Sequence, residues 1–167
     1  MKKLLLIFSL LNILFANNIK NENFFGIYGG DLTISDRDNT KTYVGIKIGG
    51  YFYDKNMYLI SNRIYLSSAK VLTSSTSFYI NNLNLDWIWN QIPYIKPFIG
   101  ISGGYLYYSY STNNYSSGIY GMQVGALLYL GNSVELEIGG KIDHTTQHQD
   151  VWKDNLKKVY GGINFSF

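Results

Sequence analysis

Four ionisable side chains, Glu135, Glu137, Lys141 and Asp143, occupy odd-numbered positions within one short stretch of the chain. Because successive side chains of a β-strand point to opposite faces, a strand here places all four on one face. Two carboxylates on a shared face can serve general acid–base catalysis or bind a cation. The alternative is a set of internal ion pairs with basic residues of other strands, since a buried charge needs a partner.

The basic residues available for such pairs are Lys47, Arg63 and Lys96, each within a segment of alternating polarity. An eight-stranded barrel has an interior just wide enough to be filled by its own side chains. We therefore favour the ion-pair interpretation over an acid–base site. It predicts a lumen closed by side chains and charge pairs rather than a water-filled channel.

The two histidines, His144 and His148, stand four residues apart and are flanked by Asp143 and Asp150. A spacing of four brings side chains together on a helix, whereas this stretch has the pattern of a strand end followed by a loop. The chain has no cysteine, which excludes thiolate metal sites, disulfides and lipid attachment to cysteine. We expect no metal site and no cofactor.

These side chains must be positioned by strands, because the chain after residue 23 divides into eight segments of alternating polarity. We predict strands near 24–34, 42–52, 57–67, 78–89, 94–108, 118–130, 133–144 and 156–167. No connection is long enough for a crossover helix, so neighbouring strands should form antiparallel hairpins.

The predicted connections alternate in length along the chain. Tight turns at 54–56, 90–93 and 131–132 alternate with longer polar loops around 35–41, 68–77, 109–117 and 145–155. Short turns on one side and longer loops on the other are typical of bacterial outer-membrane barrels. With an even number of strands, both termini lie on the side of the short turns.

Most of the predicted strands carry an apolar side chain at every second position, and in the first strand this set contains Tyr28, Leu32 and Ile34. The charged residues fall on the opposite set, namely Asp31, Lys47, Arg63, Asp86, Glu135, Glu137, Lys141 and Asp143. A Lys or Arg on the lipid face costs about 2–4 kcal/mol at mid-membrane, so the apolar set should face lipid. Asn62 and Asn81 are the polar exceptions on that set. A soluble sandwich would show the same alternation, but the Trp and Tyr residues near strand ends favour a membrane barrel.

The start of the chain has the pattern of a secretory signal peptide. Lys2 and Lys3 precede an apolar run from Leu4 to Phe15, and Ala16 offers a small residue for cleavage. The run is too short for the roughly 20 residues of a spanning helix. We predict a signal peptide at 1–16 and a barrel domain at 17–167. Removing the two lysines leaves a charge near +1, so no nucleic-acid partner is expected.

The end of the chain carries the most specific motif. Tyr160, Gly162, Phe165 and Phe167 occupy the positions of the C-terminal signal of outer-membrane barrels, which this segment resembles. The stretch from about residue 94 onward is similar to the small OmpA-like and opacity-type barrels of the porin family. The resemblance implies an all-β, eight-stranded antiparallel up-and-down transmembrane β-barrel. It also implies delivery by periplasmic chaperones, recognition by the barrel-assembly machinery, and a place in the cell outer membrane of a Gram-negative bacterium, among lipid and lipopolysaccharide.

A second resemblance concerns His144, Thr145 and Thr146, which are similar to the His-x-Ser motif of lipid A 3-O-deacylases, also eight-stranded barrels. A hydroxyl beside a histidine is the minimum for nucleophilic catalysis. The chain departs from that family because Thr replaces Ser, Gln147 stands where the family has Asn, and no matching Glu follows. We expect a non-enzymatic barrel with a structural or surface-interaction role, whose surface ligand the sequence does not identify. A lipid A-modifying enzyme using His144 and a narrow pore are the alternatives.

Overall fold

The computed structural model describes residues 19–34, 39–54, 59–73, 76–110, 113–131, 133–146 and 155–167. Its eight β-strands are Ile19–Ile34 (β1), Asn39–Asp54 (β2), Ile60–Val71 (β3), Thr76–Trp89 (β4), Ile95–Tyr110 (β5), Asn113–Tyr129 (β6), Val134–Thr145 (β7) and Asn155–Ser166 (β8). Each strand pairs antiparallel with the next, and β8 pairs with β1, which closes the barrel. This confirms the predicted fold class. Ala16 and the predicted signal peptide lie outside the described residues. No helix in the described ranges is long and apolar enough to cross a membrane.

The pairing register sets the tilt of the strands. A row of paired residues followed once round the barrel from Thr33 of β1 returns to Asn23 of the same strand, a shift of ten residues. With a rise of about 3.3 Å per residue and strands about 4.8 Å apart, this shift corresponds to a tilt of about 40°. We call the end that carries Phe167 the lower end and the opposite end the upper end.

The outward side chains form a continuous apolar band. Its exposed members include Ile27, Ile46, Ile48, Leu66, Leu83, Ile101, Met122, Val124, Ile138, Ile142 and Ile163. On β6 the outward set runs from Tyr120 to Leu130, and ten residues at this tilt rise about 25 Å. That height matches the lipid-facing band of outer-membrane barrels. The band follows the predicted alternation on β2, β3, β4, β6 and β7.

The prediction for the first strand was wrong. Leu32 and Ile34 are buried in the lumen with Tyr28 beside them, whereas Asp31 is exposed on the outer face. A charge marks the inner face only within the apolar band, whereas Asp31 lies near the upper edge of that band, where a carboxylate can reach water. There it accepts a hydrogen bond from the Thr42 hydroxyl at 3.1 Å.

Two of the predicted long loops are largely strand, and a third is shortened at its end. β2 begins at Asn39, β3 continues to Val71, and only two residues separate the end of β5 at Tyr110 from the start of β6 at Asn113. These segments are rich in Ser, Thr and Asn, which suggested loops. Ala69 and Val71 nevertheless point inward there and are buried in the same cluster as Phe78 and Leu106, so the sheet continues upward around an apolar core.

Two apolar clusters fill the lumen at different levels. The lower cluster consists of Phe24, Tyr51, Tyr65, Ile88, Phe98 and Leu127. The upper cluster consists of Leu32, Ile34, Tyr43, Ala69, Val71, Phe78, Ile80, Leu106, Ile119, Leu156 and Tyr160. Most of the buried charged side chains lie beside the lower cluster or between the two. The lumen is therefore largely apolar near its upper end, whereas its middle is polar and its lower part holds apolar rings and charges side by side.

Inward-facing glycines make room for the largest lumen side chains. A Cβ at Gly139 would lie 2.7 Å from the ring of Tyr160, and one at Gly100 would collide with the Asp86 carboxylate. Gly103, which faces outward, has no such neighbour, since nothing lies within 4 Å of a Cβ placed there. The inward glycines thus serve the packing of a narrow barrel.

Candidate functional site

Arg63 is the centre of the lower charged network. Its side chain is fully buried, and its Nε and Nη2 donate to Asp86 Oδ2 at 2.9 and 2.5 Å. Its Nη1 donates to Glu137 Oε2 at 2.6 Å. The guanidinium carbon also lies 4.7 Å from the ring centroid of Tyr65 and 5.0 Å from that of Phe98. Two carboxylates and an aromatic cage therefore hold this one cation across β3, β4 and β7.

Glu137 is shared between two cations. Its Oε2 accepts from Lys47 Nζ at 2.6 Å as well as from Arg63, and Asn164 Nδ2 donates to the same oxygen at 3.1 Å. Asp86 has a further donor, because Gln123 Nε2 donates to its other oxygen and to the Tyr65 hydroxyl. Each buried charge of this network thus has a partner of opposite sign, which offsets the cost of removing it from water.

A second network lies higher in the lumen around Asp143. Lys158 Nζ donates to Asp143 Oδ2 at 2.6 Å, and Lys141 Nζ lies 3.5 Å from the other oxygen. Ser102 donates to Asp143 at 3.3 Å, and Lys141 also donates to Asn84 Oδ1 at 3.1 Å. The two networks bring four cations and three carboxylates into the lumen, with Glu135 as the fourth carboxylate.

Glu135 and Lys96 are held differently from the paired charges. Glu135 is buried at the lower end and accepts a hydrogen bond from the Tyr51 hydroxyl, with Asn164 Nδ2 at 3.5 Å. Lys96 is half-buried and its Nζ lies 4.0 Å from the ring centroid of Tyr129. Lys96 forms no ion pair with a carboxylate of the described strands, so the predicted salt bridge for this residue was wrong.

Of the eight candidate lumen charges, the structure brings six into ion pairs, namely Lys47, Arg63, Asp86, Glu137, Lys141 and Asp143. Glu135 is held in the lumen by hydroxyl and amide donors, and the side chain of Asp31 lies on the outer face of the barrel. Lys158 is a lumen cation that was absent from the predicted set. Phe165 and Phe167 on the lipid face would have assigned Lys158 to the lumen.

A small cavity lined by polar residues lies between the two apolar clusters. Its volume, measured as the space open to the centres of water molecules, is about 30 Å³. Lys47, Lys141 and Asn84 line it. Tyr43 and Tyr160 line it as well, and their buried hydroxyls have no hydrogen-bond partner among the described residues. A polar site of this volume has room for about two water molecules. The cavity is far too small for a nutrient-sized solute.

His144 lies on the outer face at the upper edge of the apolar band. Its ring stacks on Tyr120 with a centroid distance of 5.5 Å. The Thr146 hydroxyl donates to the backbone carbonyl of Gly118 at 3.1 Å. His148 and Gln147 lie outside the described residues. Within the described ranges, no group of three or more His, Asp or Glu side chains is placed to hold a metal ion.

The predicted assembly signal divides between the two faces of β8. Phe165 and Phe167 point outward and are 45% and 74% exposed. Tyr160 is buried in the upper cluster, and Gly162 faces inward against Tyr28. The backbone of Phe167 exchanges two hydrogen bonds with Asn23 at 2.9 and 3.2 Å, which fixes the closing register of the barrel.

No protein-family model matches the chain. No curated protein matches it either. The fold is nevertheless similar to solved structures, each covering 90% of this chain and itself covered completely. Neisserial surface protein A (NspA) aligns with a TM-score of 0.63 at 12% identity. Ail, the attachment invasion locus protein of Yersinia pestis, aligns at 0.58 and 8%. The N-terminal β-barrel domain of Pseudomonas aeruginosa OprF aligns at 0.57 and 13%. The chain thus has the fold of the small eight-stranded outer-membrane β-barrels, in agreement with its resemblance to the OmpA-like and opacity-type barrels.

Proposed function

We propose that the mature chain is an integral protein of the outer membrane with a structural or surface-interaction role, and that its lumen conducts no solutes. The observation that carries this proposal is the combination of an apolar outer band with a lumen filled by side chains. A soluble barrel of this size would have the opposite polarity, with its charges outside. The fold shared with small outer-membrane barrels supports the same location.

The closed lumen supports a role that does not depend on transport. Two apolar clusters fill the interior at different levels, and the charges of the two networks, which lie beside and between these clusters, are paired with one another. A conducting path would require the ion pairs of Arg63 and Asp143 to part and both clusters to open. With its lumen closed, the protein would function by spanning the membrane and presenting its upper surface.

We propose no catalytic role for His144. Its imidazole is stacked on Tyr120, and the hydroxyl at the position of the expected nucleophile, Thr146, is donated to a backbone carbonyl. A deacylase would need a third group that orients the histidine, and no carboxylate of the described residues contacts it. Of these features of His144, the outward position beside lipid alone agrees with the enzymatic hypothesis.

The first prediction concerns location and tests the proposal directly. The mature protein should fractionate with outer membranes and migrate faster on detergent gels before boiling than after, because a closed barrel keeps its pairing until heated. The measurement is cell fractionation combined with a heat-shift gel. Recovery of the protein in the soluble periplasm or the cytosol would contradict the proposal.

The second prediction concerns transport. Purified protein in a planar bilayer should produce no steady conductance, since the lumen contains no continuous aqueous path. An outer-membrane porin inserted into the same bilayer provides the positive control. Reproducible openings that scale with salt concentration would show an open interior and would favour the narrow pore.

A further inference from the structure

Polar side chains occupy the upper edge of the apolar band on three neighbouring strands. Ser68 of β3 pairs with Asn81 of β4, which pairs with Tyr105 of β5. Directly above them, Lys70 pairs with Tyr79. We call these five residues the outer polar patch. Ser68, Lys70, Asn81 and Tyr105 are exposed, and Tyr79 is half-exposed.

The patch has unused hydrogen-bonding capacity at the edge of the lipid-facing band. The side chains of Ser68 and Asn81 make no hydrogen bond to any described residue. On its other side, Ser68 pairs with Ile46 of the apolar band. An amide without a hydrogen-bond partner is costly where it borders an apolar medium. A polar group supplied by the surrounding membrane would remove that cost.

The charge of the patch favours an anion. Lys70 Nζ lies 5.9 Å from the ring centroid of Tyr79 and forms no ion pair with a carboxylate of the described strands. The outward carboxylate at this level, Asp31, lies two strands away and is engaged by Thr42. One ammonium group with amide and hydroxyl donors beside it is suited to the oxygens of a phosphate.

We propose that the outer polar patch binds the phosphorylated headgroup of a glycolipid in the upper leaflet. Lys70 contacts the phosphate, Asn81 and Ser68 bond to hydroxyl or amide groups of the headgroup, and the rings of Tyr79 and Tyr105 pack against the sugar. This inference rests on the proposed location in the outer membrane. It also accounts for Asn81, the polar exception in the upper half of the lipid-facing set.

The same edge of the band offers a matched control residue. Lys157 of β8 is also exposed near the upper edge, but it pairs with Ile142 and Thr33, and the next outward residue toward the band is Val159. It therefore supplies the same charge without polar neighbours that extend into the band. General attraction to anionic lipid should involve both lysines equally, whereas a site should depend on Lys70.

The experiment reconstitutes the full mature protein in phosphatidylcholine nanodiscs that contain a small fraction of one test lipid. The three test lipids are lipid A with its phosphates, dephosphorylated lipid A and phosphatidylglycerol. Lipid retained on extraction is counted by native mass spectrometry. Wild-type protein should retain phosphorylated lipid A several-fold over the other two. Lys70→Gln should weaken retention about fivefold, the effect of one lysine near an anionic surface. Lys70→Gln/Asn81→Leu should weaken it about tenfold or more, and Lys157→Gln by less than twofold.

Several results would overturn the inference. Equal losses in Lys70→Gln and Lys157→Gln would indicate general surface attraction. Equal retention of phosphatidylglycerol and lipid A would show that the patch does not recognise the sugar. Equal retention of all three lipids would show that the patch is not a specific binding site. A heat-shift gel on the same samples separates these results from a failure of the proposed function, because a protein that does not insert shows no shift.

Discussion

Replacing Arg63 by alanine is expected to lower the free energy of unfolding by about 3–5 kcal/mol. Arg63 is fully buried and neutralises Asp86, whose remaining donor is the neutral amide of Gln123. Glu137 loses one of its two cations but keeps Lys47. The variant therefore leaves Asp86 as an uncompensated buried charge, in addition to a void inside the aromatic cage. Urea unfolding in detergent micelles, followed by the heat-shift gel, measures the change.

Two further variants show whether the loss comes from the unpaired charge. Lys96→Ala removes a lumen cation that lies over the Tyr129 ring without an ion pair, so its cost should be about 1 kcal/mol or less. Arg63→Ala/Asp86→Ala removes both partners and should recover part of the loss, because no carboxylate is then stranded. Unchanged stability of the Arg63→Ala protein would show that water reaches Asp86 and that the lumen is open.

The fold was predictable because a membrane barrel sorts its side chains by the most basic physical rule. A strand has a period of two, and a charge on the lipid face is expensive, so the positions of Lys47, Arg63 and Asp86 assigned three strands correctly. The closing aromatic residues Phe165 and Phe167 supplied the location of the last strand. Each of these signals is local, and a single sequence is enough to carry it.

The rule failed where the strands leave the apolar band. On β1 the lower half carries apolar residues on both faces, including Phe24 and Phe25, so only Asp31 distinguished the two sets. Asp31 lies near the upper edge of the band, where an outward charge costs little. In the upper part of the barrel, apolar side chains such as Leu32 and Ile34 face the lumen and polar side chains face outward, as in a soluble barrel. A polar outer face in these segments was mistaken for loop composition.

The partners within the lumen could not be derived from the sequence. Which cation meets which carboxylate depends on the ten-residue shift round the barrel, and this shift depends on all eight pairings together. Arg63 reaches Glu137 across the lumen, from β3 to β7. Alternation fixes the face of each residue, whereas the register fixes its level, and only the level decides the contacts.

The second large effect is expected at the end of the chain. Phe165→Ser/Phe167→Ser should leave the protein unassembled in the periplasm of growing cells. Both rings lie on the outer face of the closing strand. Removing one ring that is fully buried in lipid costs about 1.5–3 kcal/mol of burial free energy. The same residues belong to the segment that resembles the signal read by the barrel-assembly machinery. Outer-membrane fractions probed with an antibody, with and without heating, measure the assembled amount.

The neighbouring strand provides a control with matched chemistry. Phe25 pairs with Phe165 and Ile27 pairs with Ile163, and both face outward at the same levels of the band. Phe25→Ser/Ile27→Ser removes a similar amount of lipid contact outside the terminal segment, so it should lower heat resistance while assembly continues. If the terminal variant instead assembles as well as this control, then Phe165 and Phe167 contribute only lipid contact. Assembly would then be directed by another part of the chain.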